Sequence, residues 1–182
     1  MRSVPERMIM AYRRLRFLVL MAALLPLTGC ARSDRKEVVN GGDDVTCVKR
    51  IDLRLVVAAM MRDMENMEIA LKSGADANAT VEGLGPAIVI SSLVDNSKAV
   101  QLLLDKGANI NAADAQRYTA LVHAALLNHR DVAELLVSRG ADVKTPSDLI
   151  INGKKTSFTP LTIARSKGHK DMVELLTQAG AT

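Results

Sequence analysis

One spacing constrains this chain more than any other feature. Gly-Ala recurs at Gly74-Ala75, Gly107-Ala108, Gly140-Ala141 and Gly180-Ala181, in steps of 33, 33 and 40 residues. Twenty-one residues before each glycine stands a short apolar stretch: LRLVVAA at 53–59, PAIVISS at 86–92, TALVHAA at 119–125 and TPLTIAR at 159–165. A second apolar segment runs into each glycine: MEIALKSG, AVQLLLDKG, VAELLVSRG and MVELLTQAG. A fixed period of 20–50 residues is the signature of a repeat architecture, in which each unit buries its apolar face only against its neighbours.

The chemistry of one unit predicts a pair of helices. Thr119 and Thr159 are expected to cap a first helix by accepting from its free backbone N–H groups. Pro160 then sits at the first helical position, where its missing donor costs nothing. Small residues such as Ala124-Ala125 allow close helix approach, and a break follows at Asn128-His129 or Gly168-His169. A second helix carries Val132, Leu135 and Leu136 on one face, three and four residues apart. Gly140 ends it, because glycine tolerates the left-handed conformation that closes a helix. The core must be aliphatic, since after residue 30 the only aromatics are Tyr118 and Phe158.

The repeat resembles the ankyrin repeat, with its T-P-L-H-x-A-A start and G-A-D-x-N-A end. Asp76-Ala77-Asn78-Ala79, Asn109-Ile110-Asn111-Ala112 and Asp142-Val143 match that end. The resemblance covers residues 52–182. It implies an all-α solenoid of four helix pairs with β-turn or hairpin tips, in repeats near 52–79, 80–112, 113–145 and 146–182. Two departures stand out. The motif histidine is replaced by Val56, Val89, Val122 or Thr162, so its hydrogen bond to the turn is expected to be missing throughout. Gly83-Leu84-Gly85-Pro86 occupies the second tip, which is expected to be irregular and mobile. The first and last units are expected to cap the stack.

The beginning of the chain is of another kind. Arg2, Arg7, Arg13, Arg14 and Arg16 face one acid, Glu6, and Phe17–Gly29 is a thirteen-residue apolar run. That is short of the ~20 residues needed to span a bilayer. A basic head, a short apolar middle and small terminal residues describe a secretory signal peptide. Leu27-Thr28-Gly29-Cys30 resembles the lipobox of bacterial lipoproteins, which implies cleavage before Cys30 and acylation of its thiol and new N-terminus. Beginning translation at Met21 would discard this signal. An ordinary signal peptide or a retained N-terminal anchor is the competing expectation. Ala31, where an aspartate would favour the inner membrane, resembles outer-membrane sorting, so a lipid-anchored periplasmic location is expected. Residues 30–51 read as the lipidated cysteine and a flexible tether, polar and broken by Asn40-Gly41-Gly42. Cys47 is then the one remaining thiol and reads as an inert linker residue.

Removing residues 1–29 takes the count of basic and acidic side chains from 24 and 20 to 19 and 19. The formal charge of +4 therefore belongs to the leader, and no basic stripe remains for nucleic acid. His129 and His169 share one repeat position, which marks them as architectural. No His, Cys or carboxylate spacing suits a metal, and no nucleophile elbow or phosphate loop occurs. The expectation is a non-catalytic protein without cofactor or metal, monomeric when unbound, that grips a protein partner.

Two places are candidates for that grip. Asn152-Gly153 is a strong hairpin signal, and the seven-residue insertion around it predicts a long β-ribbon. Leu149, Ile150 and Ile151 on one arm need cover from a neighbouring repeat or a partner; Ile151, Asn152, Lys154 and Lys155 surround the tip. Tyr118 and Phe158 occupy one repeat position that, in the ankyrin resemblance, borders the concave binding face. They read as interface anchors or as packing on the next turn, with Gln116, Arg117 and His123 nearby. Lipid-anchored ankyrin proteins resemble immunity proteins against secreted antibacterial toxins such as phospholipases. The alternative is a periplasmic scaffold or chaperone-like helper for an exported enzyme.

Overall fold

The computed structural model describes residues 50–81, 83–151 and 154–181. The leader, Cys30 and residues 31–49 lie outside them, as does the pair Asn152-Gly153. The chain divides into Met1–Thr46 and Cys47–Thr182, and every described residue belongs to the second unit.

Among the described residues, eight helices form four pairs: α1 (Arg50–Met61) with α2 (Met64–Lys72), α3 (Ala87–Leu93) with α4 (Ser97–Asp105), α5 (Ala120–Leu127) with α6 (Arg130–Ser138), and α7 (Pro160–Lys167) with α8 (Lys170–Gln178). The inner helices α1, α3, α5 and α7 pack side by side in chain order; α4, α6 and α8 form an outer row behind them. This is the solenoid of helix pairs that the period demanded. The first described helix includes Arg50 and Ile51.

The interior is one aliphatic seam. Leu55, Ile88, Ile90, Leu121 and Leu161 of the inner row are essentially inaccessible, as are Met67 of α2 and Leu103, Leu136, Met172 and Leu176 of the outer row. Ala58-Ala59, Ser91-Ser92 and Ala124-Ala125 repeat at one position and let inner helices close up. The buried hydroxyls of Ser91 and Ser92 donate to Ala87 O at 2.9 Å and Ile88 O at 3.0 Å of their own helix, so neither is left unsatisfied.

Helix ends follow their sequence signals. Val122 N donates to Thr119 Oγ1 at 3.3 Å, and Thr159 forms a reciprocal capping box with Thr162. Asp63, Asn96, His129 and His169 share the position before each outer helix. Asp63 and Asn96 accept from Asn66 N and Ala99 N. The two histidines instead reach across to the preceding repeat, with Nδ1 2.8 Å from Ser92 O and 3.0 Å from Ala125 O.

A pattern invisible in residue type sits one step earlier. Arg62, Asp95, Asn128 and Gly168 all adopt left-handed backbone, with φ of 60°, 54°, 62° and 75°. Only Gly168 does so without a Cβ. Left-handed backbone costs an ordinary residue ~1–2 kcal/mol, partly offset by the extra entropy glycine loses on folding. Asp95→Gly is therefore expected to stabilise the protein by about 0.5 kcal/mol, raising the thermal midpoint by ~1–2 °C. A midpoint that falls in differential scanning calorimetry would show that Asp95 is not strained.

The tips are tied across repeats by asparagine. Asn109 N donates to Asn78 Oδ1 at 2.6 Å, and Asn78 Nδ2 donates to Gly107 O at 3.1 Å. One repeat on, Asp142 N donates to Asn111 Oδ1 at 3.0 Å. In the first repeat Asp52, on α1, accepts from Asp76 N at 2.8 Å.

The second tip corrects an expectation of irregularity. Strands β1 (Thr80–Val81) and β2 (Gly85–Pro86) pair antiparallel, Thr80 with Pro86 and Val81 with Gly85, and Leu84 N donates to Val81 O at 2.9 Å. Gly85 has φ of 89°, and a Cβ there would come within 3.3 Å of Asp114 Cβ in the next repeat. The glycine thus serves close contact between tips. In the fourth repeat β3 (Ser147–Ile151) and β4 (Lys154–Phe158) form the expected hairpin, in register from Ser147–Phe158 to Ile151–Lys154.

Candidate functional site

The site of most interest lies where the third tip meets the base of the fourth-repeat hairpin. Its organiser is Asp114. One carboxylate oxygen, Oδ1, accepts from Gln116 N and Tyr118 N, both at 2.9 Å. Arg117 N donates to Asp114 O at 2.8 Å and Asp114 N to Tyr118 O at 3.0 Å. An aspartate that bonds backbone two and four residues on makes its own turn. Arg117 takes the left-handed position in that turn, with φ of 63°.

The other oxygen, Oδ2, lies 2.7 Å from His123 Nε2. The His123 side chain is 0% exposed and that of Asp114 8%. With Nε2–H donating to the carboxylate, His123 Nδ1 is buried without a partner among the described residues. The Tyr118 ring meets His123 edge-on, centroids 5.4 Å apart at 87°. Burial raises the Tyr118 pKa, and the Asp114 charge adds to the effect, so its phenol stays protonated at neutral pH.

These placements revise the sequence expectations. His123 was expected on a binding face; it is core, at the repeat position held by buried Ile90 and Ile163. Tyr118 is also buried. It packs with Val122 and Ile163, and half-buried Leu126 and Phe158 close the cluster. Tyr118 thus joins the third and fourth repeats, and Phe158 offers only part of its surface outward. The helix-to-turn hydrogen bond, expected to be missing everywhere, is present in repeat three through His123, one position past the motif site. In repeat four Thr162 fulfils a related role, accepting from Thr159 N at 2.8 Å.

Gln116 and Arg117 are exposed beside this cluster, free to touch a partner. Leu149, Ile151, Lys154 and Lys155 lie in the paired strands, but their side chains, like Asn152 and Cys30 entirely, fall outside the described residues. Sequence reasoning missed Asp114. Its signal was present: an aspartate five residues before the helix cap Thr119, in a stretch of turn residues.

Asp114→Ala removes two backbone acceptor bonds and leaves His123 buried with both ring nitrogens unpaired. Leaving the buried ring N–H without its acceptor costs ~1–3 kcal/mol, whereas the exposed Gln116 N–H can turn to water. The expected destabilisation is about 2 kcal/mol by urea titration, with Asp114→Asn retaining part of it; an unchanged midpoint would show that the pair contributes nothing.

Among the described residues no three His, Cys, Asp or Glu side chains gather as metal ligands. Among the same residues no helix is long and apolar enough to cross a membrane.

Comparison with known families agrees with the geometry. A family model for ankyrin repeats in three copies matches residues 55–147, and a single ankyrin-repeat model matches residues 157–182. A search of curated proteins finds no match to the chain.

Proposed function

The chain belongs to the ankyrin-repeat family, whose members are generally non-catalytic modules for binding other proteins, and from that premise we propose that it is a lipid-anchored immunity protein of the bacterial envelope. In this role it binds a secreted antibacterial effector, such as a phospholipase, and neutralises it sterically. The observation that carries the proposal is the order of parts along the sequence. A lipobox-like leader ending at Cys30 precedes a rigid protein-binding stack, with no metal or phosphate motif between them. Attachment to a membrane keeps such an inhibitor where a lipase acts. A preformed helical stack can dock without backbone rearrangement, so inhibition would consist of covering the effector's active face. Arg117 and Gln116, exposed beside the half-buried Phe158, supply polar and apolar contacts typical of an interface core and its rim.

The test is capture of partners on the soluble fragment, residues 31–182, from culture medium and periplasm of the producing cells. Retrieval of a single toxin or lipase whose activity falls on binding supports the proposal, and Arg117→Glu is expected to weaken that complex by about tenfold. Capture of an exported enzyme whose activity is unchanged or enhanced would replace inhibition by a helper role.

A further inference from the structure

The two ends of the stack differ in chemistry. No helix pair precedes α1 and α2 among the described residues, so the side chains turned that way stand out by comparison down the repeat. Arg54 and Asn66 are exposed and Val57 is half-buried. Their counterparts are buried: Ala87 and Ala120 for Arg54, Ala99 and Val132 for Asn66, Ile90 and His123 for Val57. Met61 and Ile69 follow the same trend. Each is 43% exposed, where Val94 and Leu127, and Leu102 and Leu135, are half-buried. Positions 54, 57 and 61 are three and four apart on α1, and 66 and 69 three apart on α2, so each set shares one helix face.

The opposite end shows itself in the same way. Thr162, Arg165 and Thr177 are exposed, where Val122 and Ala125 are buried and Val137 is half-buried. That face is polar, as the end of a repeat stack needs to be. The first face is not. Met61 and Ile69 are the only exposed large hydrophobic side chains among the described residues, and both stand on it.

The size and place of this face select what covers it. Helices α1 and α2 have 12 and 9 residues, about 18 and 14 Å of length, and two adjacent helices are roughly 20 Å across. The face therefore offers roughly 300 Å², under half of the ~800 Å² per partner buried in a stable protein complex. A second copy or a folded partner would hold there only weakly. A surface to which the chain is already tied needs far less. Residues 31–49 link Cys30 to α1, and a flexible linker of that length spans roughly 25 Å.

We infer that the outer face of the first repeat rests on the lipid surface to which Cys30 is attached, with Met61 and Ile69 in the apolar boundary and the Arg54 guanidinium among headgroup phosphates. The inference rests on the lipid-anchor reading above and adds the part of the stack that touches lipid. A long cationic side chain lays its stem along apolar groups and keeps its charge in the polar layer; Arg54 stands two helical turns from Met61. Charge does not select this face. Arg62 and Glu65 are both exposed at its rim, the Arg62 guanidinium donates to Val94 O, and Lys72 pairs with Glu68. Contact is therefore expected with zwitterionic lipid. Successive inner helices lie ~8–10 Å apart, so a stack standing on its first repeat holds Gln116 and Arg117 of the third roughly 20 Å farther out, open to a soluble effector.

The chain has no tryptophan, so Ile69→Trp places a single reporter on this face and Thr177→Trp one on the opposite end. Residues 30–182 with Cys47→Ser contain every described residue; they are coupled through the Cys30 thiol to a maleimide lipid in phosphatidylcholine vesicles. Coupling in vitro makes the test independent of acylation in cells. Ile69→Trp emission is expected to move to shorter wavelength and to fall about twofold when the acyl chains are brominated, as for a side chain in the headgroup–acyl boundary. Thr177→Trp emission should do neither. Adding Met61→Asp to Ile69→Trp should restore most of the lost intensity, with circular dichroism checking that the helices persist.

Ile69→Trp emission that stays water-like on the vesicle overturns the inference. So does a blue shift without bromine quenching that grows with protein density, which assigns the face to a second copy. Quenching in the coupled protein, with no palmitate on Cys30 in cells, removes the anchor reading and leaves the lipid-seeking face standing. Palmitate on Cys30 without quenching does the reverse.

Discussion

Truncating Leu136 to alanine is expected to destabilise the protein by about 3–4 kcal/mol and to divide its unfolding into two transitions. Leu136 is 0% exposed, on α6 in the middle of the aliphatic seam. Deleting a buried leucine removes its transfer free energy and leaves a cavity, together ~2–5 kcal/mol. In a stack stabilised by nearest-neighbour contacts, that loss falls on the unit linking repeats two and four. Leu176 holds the same position in the last repeat and is equally buried. Leu176→Ala should cost a similar amount locally but release only α7 and α8. Hydrogen exchange is expected to show lost protection confined to residues 160–181 in that variant, and spread across repeats three and four in Leu136→Ala. A single cooperative urea transition with the same midpoint in both variants would show that the stack melts as one block.

Cys30→Ser is expected to abolish membrane attachment outright. If the sulfur receives a diacylglycerol, each buried methylene contributes ~0.8 kcal/mol to anchoring, and two or more chains make it effectively stable. Serine offers no thiol for that transfer. Cells expressing the variant should incorporate no labelled palmitate into the protein, and it should leave the membrane fraction. Persistent membrane fractionation of Cys30→Ser would point instead to a retained N-terminal anchor. Loss of protection against the effector, with binding to the purified variant intact, would separate the tether from the grip.

Much of the architecture was legible in the residues themselves. The Gly-Ala spacing set the number of helix pairs, and the caps at Thr119 and Thr159 form as their chemistry requires. What escaped notice lay where one conformation is filled by unlike residues. The left-handed position after each inner helix is Arg62, Asp95, Asn128 and Gly168; only the last carries a residue that announces it. His123 was misread because it lies near Tyr118 in sequence. Comparison down the repeat would have placed it with Ile90 and Ile163, inside. The second tip was misread for a different reason. Two glycines near a proline suggest loose chain, but Gly85 is there so that the tip can approach Asp114. At the candidate site the local turn could have been read from Asp114, whereas its bond to His123 required knowing how the turn folds back on α5.

The neighbour-only packing also determines how the stack responds to tension. Among the described residues the main packing of each inner helix is with its own partner and the inner helices on either side, and the tips are joined by asparagine rungs such as Asn78 to Asn109. Force between the two ends would therefore be relieved stepwise, one pair at a time. Each released repeat of 33 residues, at up to ~3.3–3.6 Å per residue, lengthens the chain by roughly 100 Å. A protein built this way can lengthen under load while its remaining repeats stay folded.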